Sequence, residues 1–108
     1  MDNTSAIIIL ITASSTEEAE NIAKSLVKDK LVACVNIIPQ IKSIYWWKGK
    51  ICTDKEILLI SKTKQSLFTA VMDRVKLLHS YEVPEIISFP ISEGSFDYLN
   101  WIEKVTGS

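Results

Sequence analysis

Seven residues, His79-Ser80-Tyr81-Glu82-Val83-Pro84-Glu85, gather the single histidine of the chain, a tyrosine and two carboxylates. Groups of these types bind protons and metal ions. Pro84 removes a backbone donor and drives Val83 into an extended conformation, so a helix stops before the segment and a strand begins after it. The chemistry is thereby collected on a turn at the end of a sheet. A bland reading competes: a histidine in the last turn of a helix is favoured by the macrodipole alone, and Glu82 and Glu85 are then solvated turn residues. Elsewhere, Cys34 is a soft ligand suited to Cu(I), and His79 suits several transition metals. Cys34 lies among small and β-branched residues, where a buried cysteine is usually a small hydrophobe. Cys52 sits near a turn and reads as incidental. No HxH, HxxxH or CxxC spacing is present, so spacing alone carries no metal signature.

The 108 residues suffice for one domain, spanning 1–108, with a real core. Hydrophobic residues make up 47% against 23% charged, which excludes disorder. Twelve basic and thirteen acidic residues give a net charge of −1, with no basic stripe of the kind that neutralises phosphates. The longest apolar run, Ala6 to Ile11, is far too short to cross a bilayer. It also lacks the basic lead-in of a signal peptide, since Asp2 is the one charge before it. Two cysteines without a CxxC pair fit a cytoplasmic chain with reduced thiols.

The elements that position these groups follow a pseudo-repeat. Ala6 to Thr12 is a strand-like run. Ser15-Thr16-Glu17-Glu18 fits a capping box with Glu18 reaching back to Ser15, and Ala19, Ile22, Ala23, Leu26 and Val27 stripe the helix that follows. A second strand runs from Leu31 to Pro39, and its extension Ile41 to Trp47 leads to a hairpin turn at Gly49. Ile57 to Thr63 is the third strand, Leu67, Val71, Val75 and Leu78 stripe a second helix, and Pro84 to Ile91 is the closing strand. A last helix, capped by Ser95, carries Tyr98, Leu99, Ile102 and Val105 on one side. The order predicts an α+β, ferredoxin-like βαββαβ sandwich plus a C-terminal helix.

The sheet has too few helices. An antiparallel sheet with one wet face alternates apolar and polar residues, but here Ile8 and Leu10 oppose Ile7, Ile9 and Ile11, while Leu58 and Ile60 oppose Ile57 and Leu59. Two helices cover one face. Leaving the other wet forgoes roughly 1.5–3 kcal/mol per large aliphatic side chain, and such patches mark interfaces. The missing cover is expected to be another copy of the chain, with the edge near Tyr45-Trp46-Trp47 open to a neighbour.

Five pieces of the chain, in order, are LVACVNIIP (31–39), SIYWWKGK (43–50), EILLISKT (56–63), His79 to Glu85, and Asp97-Tyr98-Leu99-Asn100-Trp101. Together they resemble the CutA divalent-cation-tolerance family over nearly the whole length. The resemblance implies a tight homotrimer with sheet faces inward, like the trimers of PII signalling proteins, and a link to copper and other divalent cations. It also implies the ligand set. Cys34 stands at the cysteine of the family's ACVN-like segment and His79 at the histidine of its HPYE-like segment. Where some bacterial members carry a further cysteine and a second histidine, this chain has Ile11 and Leu78, and Ser80 replaces the usual proline. On this reading Cu(I) uses Cys34, Cu(II) uses His79 with Glu82 or Glu85, and affinity is modest. No cofactor is obligatory, and copper or another divalent cation is the candidate ion.

A second constellation is polar. Glu56 and Lys62 share a strand face, Tyr81 and Glu82 follow the second helix, and Trp47 and Trp101 supply flat apolar walls. The resemblance implies that such residues surround a cleft between subunits, where an aromatic-walled pocket with one lysine and two carboxylates would accept a small anionic or zwitterionic ligand. Against this, Glu56–Lys62 is a register-fixing ion pair and the tryptophans are interface anchors. Catalysis has little support: no serine sits in a strained glycine turn, and three glycines make no phosphate loop. RNA-recognition domains share the topology but need stacked aromatics on the open sheet face, where the third strand offers Glu56, Ile57, Leu58, Leu59 and Ile60. The expectation is a non-enzymatic, cytoplasmic trimer that binds neither nucleic acid nor membrane and serves metal-ion tolerance. The alternative is a PII-like sensor that takes a small metabolite in its inter-subunit cleft.

Overall fold

The aliphatic runs and amphipathic stripes become β1 (Ala6–Ala13), α1 (Thr16–Lys28), β2 (Cys34–Trp47), β3 (Lys50–Lys64), α2 (Phe68–Leu78), β4 (Ile86–Pro90) and α3 (Phe96–Val105). This is a computed structural model that describes residues 5–107, so both ends of the domain read over 1–108 lie outside it. The strands form one sheet in the order β2-β3-β1-β4 with every neighbouring pair antiparallel. That is the ferredoxin-like order.

Local chemistry sets the element ends. The Ser15 hydroxyl accepts from the Glu18 amide at 3.1 Å, capping α1. Glu18 does not return to Ser15 as a capping box requires; its carboxylate accepts instead from the Ser14 amide and hydroxyl, at 2.9 and 3.0 Å. The second strand starts at Cys34 rather than Leu31, because the Leu31 and Val32 amides donate to the Leu26 carbonyl and close α1. Val27 falls at the edge of its stripe and stays exposed. Pro39 has no amide to donate, and the β2–β3 register shifts between Ile38 and Ile41. Leu67 is buried in a 3-10 turn ahead of α2 rather than in the helix. The fourth strand begins at Ile86 instead of Pro84.

The third strand is twice as long as expected, starting at Lys50 instead of Ile57. Lys48 and Gly49 form the connecting turn with φ of 50° and 79°. Two positive φ angles in a two-residue loop match the right-handed twist of the flanking strands. The paired segments from Ile41 to Trp47 and from Lys50 to Glu56 make an arm, and the molecule measures 46 × 25 × 22 Å.

Alternation along the strands divides the sheet into two faces. Ile7, Ile9, Ile11, Ile57 and Leu59 pack under α1 and α2 with Ile22, Leu26, Val71 and Val75. The opposite face carries Ile8, Leu10, Leu58, Ile60, Ile87 and Phe89, in register across β3, β1 and β4. Only its end is covered, where Leu99 and Ile102 of α3 sit over Ala6 and a Lys64–Glu103 ion pair at 3.2 Å fastens the helix. Ile87 and Phe89 remain 52% and 46% exposed. The shortage of helices inferred from the two-sided strands is real within this chain.

Candidate functional site

The turn between α2 and β4 is built around His79, whose side chain is fully buried. Its Nδ1 accepts from the Tyr81 amide at 3.0 Å, which leaves the proton on Nε2 to donate to the Thr12 carbonyl at 2.6 Å. The imidazole thus ties the turn to the end of β1. Glu18 adds a second tie: its Oε2 accepts from the Ser80 amide at 2.8 Å while Oε1 holds Ser14. Burial disfavours its charge, but these hydrogen bonds outweigh that and hold the carboxyl below its ordinary value.

Beyond this tie, Tyr81 leans on the imidazole with ring centroids 4.6 Å apart and donates its hydroxyl to Glu56 at 2.6 Å. Glu56 is only 7% exposed. Burial, and then the Glu56 carboxylate, push the Tyr81 phenol well up, so it keeps its proton as a donor. Between the turn and the arm runs a groove of about 810 Å³. The arm contributes Ser43, Ile44, Tyr45, Trp46, Trp47 and Glu56; the body contributes Thr12, Ser80, Tyr81, Glu82, Val83 and Glu85. Tyr45 also donates to Asp54, whose carboxylate pushes the phenol up to about 12.

Of the residues singled out from the sequence, Trp47, Glu56, Tyr81, Glu82 and Glu85 meet in this groove. Lys62 and Trp101 do not line it. Lys62 bonds the Asn36 side chain and lies 4.0 Å from the Cys34 sulfur, on the sheet face away from α1 and α2. Trp101 stacks on Tyr98 at 5.5 Å on α3, and Tyr98 lies beside Cys34, its phenol raised by burial and then by that cysteine. Six residues of extended strand put Glu56 about 20 Å from Lys62, and the two form no ion pair. Nor do Cys34 and His79 meet: Cys34 pairs with Lys62, whereas the Thr12 that binds His79 pairs with Leu58, roughly 13 Å along β3. Ile11 is core and Leu78 packs against it, so neither supplies a donor. Among the described residues, no three His, Cys, Asp or Glu side chains cluster as a metal would need. Cys52 is a free thiol opposite Tyr45 on the arm. Thr12, Tyr45 and Trp46 were not singled out as cleft residues; only the aromatic run 45–47 signalled the wall.

The geometry can be set beside known proteins. The family model described as CutA1 divalent ion tolerance protein matches residues 7–105. The chain belongs to that family. It is 49% identical over 100 residues to the divalent-cation tolerance protein CutA of Thermus thermophilus, covering 93% of this chain and 97% of that one. It is 46% identical over 101 residues to the chloroplastic protein CutA 1 of Oryza sativa, covering 94% of this chain but only 57% of the rice protein. The solved structure of the periplasmic divalent cation tolerance protein CutA of Archaeoglobus fulgidus superposes with a TM-score of 0.90 at 48% identity, covering 93% of this chain and 97% of that one. A CutA-type chain has a general role in divalent-cation tolerance. Its relatives are named for different compartments, and among the described residues no helix is long and apolar enough to cross a membrane.

Proposed function

We propose that this CutA-family chain acts by binding and not by turnover, as a cytoplasmic homotrimer whose groove between the arm and the His79–Glu85 turn receives a small ligand. The groove supports this reading most directly: a concave, aromatic-walled space whose polar groups converge from two separate elements. Its chemistry favours recognition. Tyr81 retains its proton and spends it on a hydrogen bond to Glu56, so the phenol is not a free acid or base near neutral pH. The trimer is supported by the uncovered apolar face of the sheet and by the arm, which has little of its own chain to pack against.

The donor set argues for the PII-like alternative over a copper chelate within one subunit. Both nitrogens of His79 already have partners, and Cys34 lies on another part of the sheet. Glu82 and Glu85 are the groove's exposed carboxylates, so a divalent ion would meet oxygen donors there, which suit hard ions better than Cu(I). The test is a calorimetric screen of copper, other divalent ions and a mixed metabolite library against wild type, Glu82→Gln and Cys34→Ser. Binding lost with Glu82→Gln and kept with Cys34→Ser supports the groove. The opposite pattern returns the site to the cysteine, and binding indifferent to both removes the groove reading.

A further inference from the structure

We propose that the groove selects a small organic cation, an ammonium group on a short apolar body, instead of the anionic or zwitterionic ligand that Lys62 would have favoured. The proposal rests on the reading of the groove as a ligand site and adds the ligand's class. Glu56, Glu82 and Glu85 all line the groove, and no lysine or arginine does. Neither Glu82 nor Glu85 takes part in an ion pair among the described residues. Glu56 is the deciding group. It is more than nine-tenths buried, and its Oε2 accepts the Tyr81 hydroxyl. Among the described residues, no hydrogen bond to its Oε1 accompanies the one that Tyr81 gives to Oε2, and the residue lines the groove. A buried carboxylate with a free acceptor wants a cationic donor.

The walls have the matching character. Trp46 and Trp47 offer indole faces, which attract ammonium groups through the ring quadrupole. Trp47 already attracts one cation of its own chain, with the Lys48 ammonium 5.7 Å from its ring centroid. An anion in the same space would face three carboxylates, with no lysine or arginine among the lining residues and only the Lys48 ammonium over Trp47 beside it. A divalent metal would gain nothing from the indoles. Only an organic cation uses both the carboxylates and the aromatic walls.

Three probes with one butyl tail separate charge from apolar fit: n-butylammonium, 1-butanol and butyrate, each titrated into the intact assembly. Indole N–H resonances of Trp46 and Trp47 report the groove, and Trp101 serves as a remote control. The expected result is that n-butylammonium moves the Trp46 and Trp47 signals and binds at least about tenfold more tightly than 1-butanol, while butyrate moves nothing. Glu56→Gln keeps an acceptor for Tyr81 and should cost about tenfold in n-butylammonium affinity, with the circular dichroism spectrum unchanged. Should Glu56→Gln misfold, Glu82→Gln,Glu85→Gln at the exposed rim tests the same charge requirement. Equal binding of the three probes, or tighter binding of butyrate, overturns the cation assignment while leaving the groove as a ligand site. If neither these probes nor a wider library moves Trp46 or Trp47, both readings fail together.

Discussion

Replacing His79 by phenylalanine should destabilise the protein by about 2–6 kcal/mol, and the figure follows from two hydrogen bonds. The phenyl ring keeps much of the volume and the contact with Tyr81, so packing changes little. What goes is the acceptor for the Tyr81 amide and the donor to the Thr12 carbonyl. Each partner left unsatisfied in a buried setting costs about 1–3 kcal/mol, a large share of a typical total of about 5–15 kcal/mol. The assay is guanidinium unfolding followed by far-ultraviolet circular dichroism, at one fixed protomer concentration because assembly shifts apparent stability. The midpoint should fall while the slope stays the same. Leu77→Ala, in the same helix end but 81% exposed, is the control and should change stability by less than about 0.5 kcal/mol. A His79→Phe protein within that same margin of wild type would show that the imidazole is not a structural tie, and would reopen it as a free ligand.

Other expectations concern assembly, acid and the groove. Light scattering should give a multiple of the 12.2 kDa chain mass, and Ile8→Asp or Leu58→Asp should disrupt assembly and folding together; a well-folded monomer at micromolar concentration would refute this. Glu18 has a folded-state value below its ordinary 4.5, so the stability it contributes is complete above that value and is lost as pH falls through the folded one. Glu18→Gln should therefore be less stable at neutral pH and lose less on acidification, as read by denaturant midpoints between pH 6 and 3; parallel curves would refute it. Tyr81→Phe leaves the buried Glu56 carboxylate without its one hydroxyl donor and should cost about 1.5–3 kcal/mol by the same unfolding assay.

Much of the fold was legible because strand alternation and helical stripes leave strong marks. Ile7, Ile9, Ile11, Ile57 and Leu59 at odd positions serve α1 and α2, while Ile8, Leu10, Leu58 and Ile60 at even positions form a face that α3 cannot hide. The arm was only half legible. Lys50 to Glu56 pairs with β2 outside the helical layer, so no core imposes alternation and the sequence KICTDKE reads as a loop. The site fared similarly. Glu56 and Lys62 do alternate onto even positions, but position along the strand decides contact, and Glu56 meets Tyr81 instead. The capping signal at Ser15 was right, whereas the reach of Glu18 to Ser80, 62 residues away, has no local mark.

The arm makes the groove a two-part device. One wall, with Tyr45, Trp46 and Trp47, rides on the ribbon; the other, with Tyr81, Glu82 and Glu85, is bolted to the body through His79 and Glu18. A ribbon of two strands beyond its supporting layer bends and frays more easily than the rest of the sheet. A ligand bound there as proposed would touch both parts at once and act as a wedge that sets the angle of a lever. The relation is reciprocal: any contact that clamps the lever from outside changes occupancy of the groove by the same factor with which occupancy changes the clamp.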